Sequence, residues 1–484
     1  MIFNIKEIEF AKAFNAGQDK FQHTRGTYAK LFPFATDADK KEETEAHLKD
    51  FNAITAALHR NWLNIETSLP NNETEIIEQL VNSVDTTNKI ELYNIIKTIL
   101  FVKDQSIKIF DKTVIPYIKN GTKNAKISNL IEFLFHFFDD EEIAVTLKER
   151  FKEAPKSNTL HNLFLTYLEK QKNSIDPLVK DPCYFNGEIT RKYRKMFVDD
   201  FLNLIKNETL YKDNVNYLIK YYYFAYINAL TLELNQFINI NSNIKLFFSL
   251  EWEKLSQTRL AIDNGYKKLE HSILNLFTHA NCIELLNTID FSETYPNQIV
   301  LYNDVRLLYA QYEDHQLIEL DSALNKLFKR YINSIKDIDW DDENAQKHIS
   351  TGKEIIEPQG LKILRKLYNA IKYQFENSGR RSANEFYYKT YRSFVDLNYK
   401  KIRGRLGATL KLDKETLLMF TELSILHLKV EKITITTLWD ELERRGINLD
   451  LQSKQEVIDY FQKINILEKK SDSGNVQYVT KMFK

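Results

Sequence analysis

Glycine and proline are scarce in this chain: 484 residues hold 12 of the first and 8 of the second, and just five glycines fall between Met1 and Lys336. Both residues punctuate helices and build tight turns, so their rarity argues against a β-sandwich or a wound α/β sheet. It predicts long helices over the first two thirds. Cysteine is rarer still. Cys183 and Cys282 are too few for a disulfide framework and too distant in sequence for a metal knuckle, which predicts a reduced, cytoplasmic setting. Net charge is lacking as well, with 67 Lys and Arg against 67 Asp and Glu. No chain-wide field selects nucleic acid or an anionic membrane, so any electrostatic function has to be local. The densest apolar run, LIEFLFHFF from Leu130, is interrupted by Glu132 and His136 and stops at Asp139, short of the ~20 residues that a membrane span requires. The opening MIFNIKEIEFAK breaks its apolar residues with charge and has no signal-peptide core. Neither secretion nor a membrane partner is expected.

Catalytic motifs are missing too. STGK at Ser350 lacks the upstream glycine of a GxxxxGK[ST] phosphate cradle, and there is no GxSxG elbow, GxGxxG fingerprint or kinase set. His136, His161, His271, His279 and His315 show no HExxH spacing. The acids Asp337, Asp339, Asp341, Asp342 and Glu343 lack the spacing and glycine of a calcium loop. Glu468-Lys469-Lys470 resembles a nuclease Glu-x-Lys by letters alone, because it falls on a terminal hairpin rather than beside a buried sheet. The expectation is a protein with no cofactor, no metal and no catalytic residues.

What is present is globular: 43% hydrophobic and 28% charged residues exclude a mostly disordered chain, and the length allows two or three domains. NLIEFLFHFF, NLFLTYLEKQ and KMFVDDFLNLIKN place apolar residues three and four apart, the mark of amphipathic helices. YYYFAY from Tyr221 reads as a buried helical turn. After Lys336 the character changes. The following stretch carries five acids in its first seven residues and the last proline, Pro358, and reads as an exposed connection. The expected organisation is therefore mainly α: a large helical N-terminal body over residues 1–336, a connecting segment over 337–411 and a C-terminal winged helix-turn-helix over 412–484.

Within the connection, residues 378–411 hold nine cations, Arg380, Arg381, Lys389, Arg392, Lys400, Lys401, Arg403, Arg405 and Lys411, against the acids Glu385 and Asp396. That local excess of seven suits the phosphates of nucleic acid. The interleaved Phe386, Tyr387, Tyr388, Tyr391, Phe394 and Tyr399 either stack on bases or face a core. RGRLG, from Arg403 to Gly407, either offers backbone amides to an anion or is a plain turn.

The C-terminal expectation rests on three short amphipathic helices. Asp413 caps the first, Thr437 the second, which stops at Gly446, and Ser453 the third, with Glu456 at capping-box spacing. Two β-like runs, Ile466 to Lys470 and Val476 to Lys481, flank a turn that tolerates positive φ. A lone hairpin is marginal in water, so it is expected to pack Val476 or Tyr478 on Phe461 or Leu442 as the wing of the module. As a DNA reader the module would present Lys454, Gln455, Gln462 and Lys463 on its recognition helix and Lys469 and Lys470 on the wing, with Glu456, Asp459 and Asp472 among them.

KKIRGRLGATLKL, LWDELERRGINLDLQSKQEVIDYFQKINILEKKSDSGNVQYV and the terminal hairpin resemble DptG, a component of bacterial DNA phosphorothioation-dependent restriction systems, over roughly the last 90 residues. The resemblance implies a non-catalytic subunit of an antiviral defence complex. It would work with DptF-like and DptH-like subunits that supply ATP hydrolysis, and would contact DNA through the backbone. No site residues carry over from that family; charge and the expected fold alone give the expected nucleic-acid residues Arg380, Arg381, Lys400, Lys401, Arg403, Arg405, Lys454, Gln455, Lys469 and Lys470. Two other classes stay open: a winged-helix transcription regulator that reads a palindrome as a dimer, and a metal-dependent nuclease with a degenerate site.

Overall fold

The computed structural model of the chain describes residues 3–13, 29–37, 41–70, 72–102, 107–118, 124–152, 158–179, 181–237, 245–350, 358–469 and 476–482. Helix accounts for 65% and strand for 8%, which makes the protein mainly α. Among the described residues no helix is long and apolar enough to cross a membrane.

The spine is a pair of helices, α1 (Glu188–Leu204) and α2 (Glu208–Gln236). Asn207 starts α2 by accepting the Leu210 N–H at 2.9 Å. In the middle of α2 every residue from Tyr221 to Asn228 is buried. A helix apolar around its whole circumference has to be wrapped on all sides, and the rings show by what: Tyr226 stacks on Phe137 with centroids 4.2 Å apart, Tyr223 meets Phe394 at 4.7 Å, and Tyr221 meets Phe420 at 4.6 Å. Away from the spine, the helices Glu73–Asn82, Lys89–Leu100 and Thr159–Glu169 close a smaller core of their own around Ile77, Ile96, Phe164 and Leu168.

Packing continues across Lys336. Helices α3 (Asp314–Ser334) and α4 (Gln359–Asn377) lie against each other, and the Tyr331 hydroxyl donates to Gln374 Oε1 at 2.7 Å. The acidic stretch between them is not a bare connection: Asp342 caps a short helix, Glu343–Ile349, that buries Ala345 and Ile349. One apolar cluster runs from Phe3 to Val479.

Nine strands complete the inventory of the described residues. Strands β1 (Ile65–Thr67) and β2 (Lys172–Ser174) form an antiparallel pair. Strand β3 (Phe247–Leu250) comes from the body but sits inside a four-stranded sheet of order β4-β5-β3-β7, with β4 at Lys400–Ile402, β5 at Ala408–Leu412 and β7 at Asn448–Leu449. It runs parallel to both neighbours, with Phe248 opposite Leu410 on one side and Leu449 on the other. Phe248, Ser249 and Leu250 are all buried, as in a strand covered on both faces, and the Ser249 hydroxyl donates to the Leu410 carbonyl at 3.1 Å. The expected three-part division is thus crossed by a shared sheet as well as by a shared core.

Helix α5 (Arg381–Asn398) leads into β4 and β5; then come α6 (Lys414–His427), β6 (Lys432–Thr434), α7 (Ile435–Arg444), β7, α8 (Leu451–Lys463), β8 (Leu467–Lys469) and β9 (Gln477–Thr480). Strands β6, β9 and β8 form an antiparallel sheet in that order. Asp413 caps α6 as expected, accepting the Thr416 N–H at 2.8 Å. The other two caps lie three residues earlier than expected, at Thr434 and Asp450. Thr437 and Ser453 instead supply the N–H groups that these caps accept. The hairpin buries Val479, paired with Ile433 and Leu467, and leaves Val476 exposed and Tyr478 half-buried. A strand alternates faces at every residue, so this one-position shift exchanges its inner and outer sides.

Candidate nucleic-acid interface

In α5 the aromatic spacing serves the core. Tyr387, Tyr391 and Phe394 recur at three- and four-residue intervals on one face, and all are buried, as is Tyr399 just beyond. Tyr399 stacks on Phe224 with centroids 3.9 Å apart, and the Tyr391 hydroxyl donates to Asn228 Oδ1 at 2.6 Å. Of the two alternatives that the spacing left open, these four rings take the core one; Phe386 and Tyr388 are half-buried.

The cations divide into inward and outward sets. Arg403 is the most committed. Its guanidinium donates to the carbonyls of Leu250 at 2.6 Å and Glu253 at 2.9 Å and to the Ser249 hydroxyl at 3.0 Å, closing the end of β3. Burial lowers its pKa, against the pull of Glu253 and Glu251. Lys400 lies 3.3 Å from Asp396 and 4.6 Å above the Tyr266 ring. Arg380 is half-buried near Asp337, with its pKa lowered by burial. Outward stand Arg381, exposed at the start of α5 with Glu385 3.8 Å away, and Arg405, exposed in the turn after edge strand β4; Lys401, on β4, is half-buried with Glu251 in its field. In that turn the Leu406 and Gly407 N–H groups are spent on Arg403 and Gly404 carbonyls, so RGRLG is a turn and not a nest for an anion. Gly404 and Gly407 take φ of +60° and +82° and face open space, as such a turn requires.

On α8, Lys454 lies 3.5 Å from Glu443 and 5.5 Å above Trp439, and Gln455 donates to Asp459 at 2.9 Å. Its exposed residues include Leu451, Gln452, Gln455, Glu456, Gln462 and Lys463, a surface with little net attraction for phosphate. The backbone of Lys469 pairs with Gln477, whereas Lys470 and the turn 471–475 lie outside the described residues.

Two buried polar clusters fasten these elements to the body, and the sequence alone did not reveal either. Arg445 donates to both carboxylate oxygens of Asp200 at 2.7 Å and to Glu441 at 2.8 Å, while Tyr222 donates to Asp200 at 2.6 Å. Burial by itself lowers the Arg445 pKa; Asp200 more than reverses this and holds the guanidinium charged. Arg259 donates to both oxygens of Asp450 at 2.7 Å, and Ser453 donates to Glu253 at 2.9 Å. In sequence, Arg444-Arg445-Gly446 looks like the solvated basic end of a helix, and nothing local marks its second arginine as buried.

Among the described residues no group of three or more His, Cys, Asp or Glu is placed to hold a metal ion. The chemistry on offer at this surface is attraction of anions by Arg381, Lys401 and Arg405. In comparisons with known proteins, no family model matches the chain and no curated protein matches it.

Proposed function

We propose that the chain is a non-catalytic accessory subunit of a phosphorothioation-linked restriction complex, as its resemblance to DptG implies, and that residues 412–484 form a winged helix-turn-helix whose wing is the β8-β9 hairpin. What supports the structural part is the three-stranded sheet of order β6-β9-β8, with β6 and β9 packed on α7, β8 on α8, and α7 in turn on α6. In this reading the module is a fixed joint. The start of α8, the part of a helix-turn-helix that approaches bases, is held by Asp450 and Ser453 against Arg259 and Glu253 of the body. Its outward face carries Glu456 and Asp459 beside Lys463, which favours a protein partner over a base-reading role and counts against a sequence-specific regulator. DNA is met at its backbone by Lys401, Arg405 and Arg381, while DptF-like and DptH-like subunits supply the motor.

Co-expression with the neighbouring gene products tests the reading. A stable complex that binds duplexes of different sequence equally is expected, without ATPase or nuclease activity in this subunit alone. A chain that stays monomeric beside those products, or metal-dependent cutting abolished by one carboxylate substitution, overturns it.

A further inference from the structure

Trp252 and Tyr460, both half-buried, meet where the loop after β3 reaches α8, with ring centroids 5.1 Å apart and planes tilted by 50°. Lys414, exposed in the first turn of α6, holds its ammonium over both rings, 5.5 Å from the first centroid and 5.2 Å from the second. An exposed cation can stand over a ring only where that face is open on the cation's side. These two rings therefore keep a face that the buried rings of α5 do not.

Little else holds the corner in this form. Among the described residues Lys414 makes no ion pair and no hydrogen bond. The Trp252 indole N–H and the Tyr460 hydroxyl have no hydrogen-bond partner either, and neither is sealed from water. Buried Trp and Tyr spend these groups on a partner; here both are free to meet a ligand. The neighbouring charge is mainly positive. Lys254, exposed two residues after Trp252, is unpaired among the described residues, and Lys401 and Arg403 lie in the field of Glu251, the residue before it. Glu251 itself is spent on Lys411 at 2.9 Å and Glu253 on Arg259 at 3.3 Å, which leaves Glu415 in the field of Tyr460.

We propose that this corner stacks an unpaired base of single-stranded nucleic acid: the base takes the place of the Lys414 ammonium on the Trp252 and Tyr460 rings, and Lys414 turns to the phosphate of the same nucleotide. A ring face that attracts an ammonium also accepts the face of any base, and a lysine beside it supplies the charge for the backbone. A duplex keeps its base faces covered, so the corner selects an unpaired strand. The inference deepens the nucleic-acid reading above and rests on it. It uses neither Lys401 nor Arg405 as a contact, so each can fail alone.

Titration of the full chain with a short oligothymidylate and with an abasic strand of the same length, read by tryptophan fluorescence and by equilibrium binding, tests this. The oligothymidylate should quench the fluorescence and bind about tenfold more tightly than the abasic strand, which offers phosphates alone. Trp252→Ala should abolish the quenching and weaken oligothymidylate binding about tenfold, with duplex binding unchanged. Lys414→Glu, at an exposed position, sets a carboxylate where the phosphate would lie. It should also cost about tenfold, and it serves if the alanine variant does not fold. Duplex binding with no response to oligothymidylate overturns this proposal and leaves the backbone contact standing; quenching that survives the loss of duplex binding does the reverse. Equal quenching by the abasic strand, or unchanged affinity in the folded variants, also overturns it.

Discussion

Arg445 and Asp200, 245 positions apart, face each other through two 2.7 Å hydrogen bonds with both side chains fully buried. The pair pins the end of α7 to α1 and joins the C-terminal elements to the spine. Removing one partner of a buried pair strands a charge and costs about 3–5 kcal/mol, whereas replacing both with apolar residues is often close to neutral. Asp200→Ala should therefore lower the melting temperature sharply, and Asp200→Leu combined with Arg445→Met should recover most of the loss. Equal melts for the parent and the single variant would mean that the pair contributes nothing.

Gly265 lies against the sheet of order β4-β5-β3-β7. A Cβ there would stand 2.8 Å from the Phe247 carbonyl oxygen and 3.6 Å from the Leu410 nitrogen, and backbone in a sheet has little room to move. Gly265→Ala should cost about 1–3 kcal/mol by overpacking, read as a drop in melting temperature. Gly379→Ala, where a Cβ meets nothing within 4 Å, is the control and should leave the melt almost unchanged.

The split between inward and outward cations predicts a split in DNA binding. If Lys401 and Arg405 each meet a phosphate, replacing both by Ala should make the log-log salt slope shallower by about 1.8, from ~0.9 per contact, equally for all sequences. Arg403→Ala should instead destabilise the fold, because three acceptors at the end of β3 lose their donor. An unchanged slope in the folded double variant would remove DNA contact from this turn.

Buried titratable groups set opposing pH trends. Burial holds His59 at about 4, below the ~6.5 of an unfolded histidine. Between those values the unfolded chain takes up a proton that the native one refuses, so His59 makes stability fall as pH drops below about 6.5. Glu233 acts the other way: raised from 4.5 to about 7, it makes stability fall as pH climbs through that window. Melting curves at pH 5 and pH 8 should show Glu233→Gln gaining on the parent at the higher pH. His59→Gln should fall furthest behind the parent at pH 8 and lose part of that deficit at pH 5. Parallel shifts at both pH values would contradict these assignments.

Local signals in the sequence found the local structure. Scarce glycine and proline announced the helices, Asp413 announced the start of α6, and the burial of Tyr221–Tyr226 followed from an aromatic run too dense to leave wet. What escaped was non-local. Ser453 has a capping residue's chemistry and spacing, yet Asp450 also accepts from Arg259, and that contact across 191 positions fixes where α8 begins. Arg403 reads as one more cation in a basic stretch until the carbonyls of Leu250 and Glu253 arrive beside it. The aromatics of α5 were ambiguous for the same reason, since a stripe of rings has one appearance whether it faces a core or a ligand.

Strand β3 has a consequence for how the protein is made. Residues 247–250 leave the ribosome when about half of the chain is made, and both strands that flank them, 408–412 and 448–449, are translated much later. Chains fold largely as they emerge, N-terminal parts first, so the nascent body carries an apolar strand with both edges open until almost the whole protein is out. Such an edge invites pairing with other chains. A message cut short before codon 408 would therefore leave Phe247–Leu250 without either flanking strand, and is expected to yield an aggregating product rather than a smaller working body.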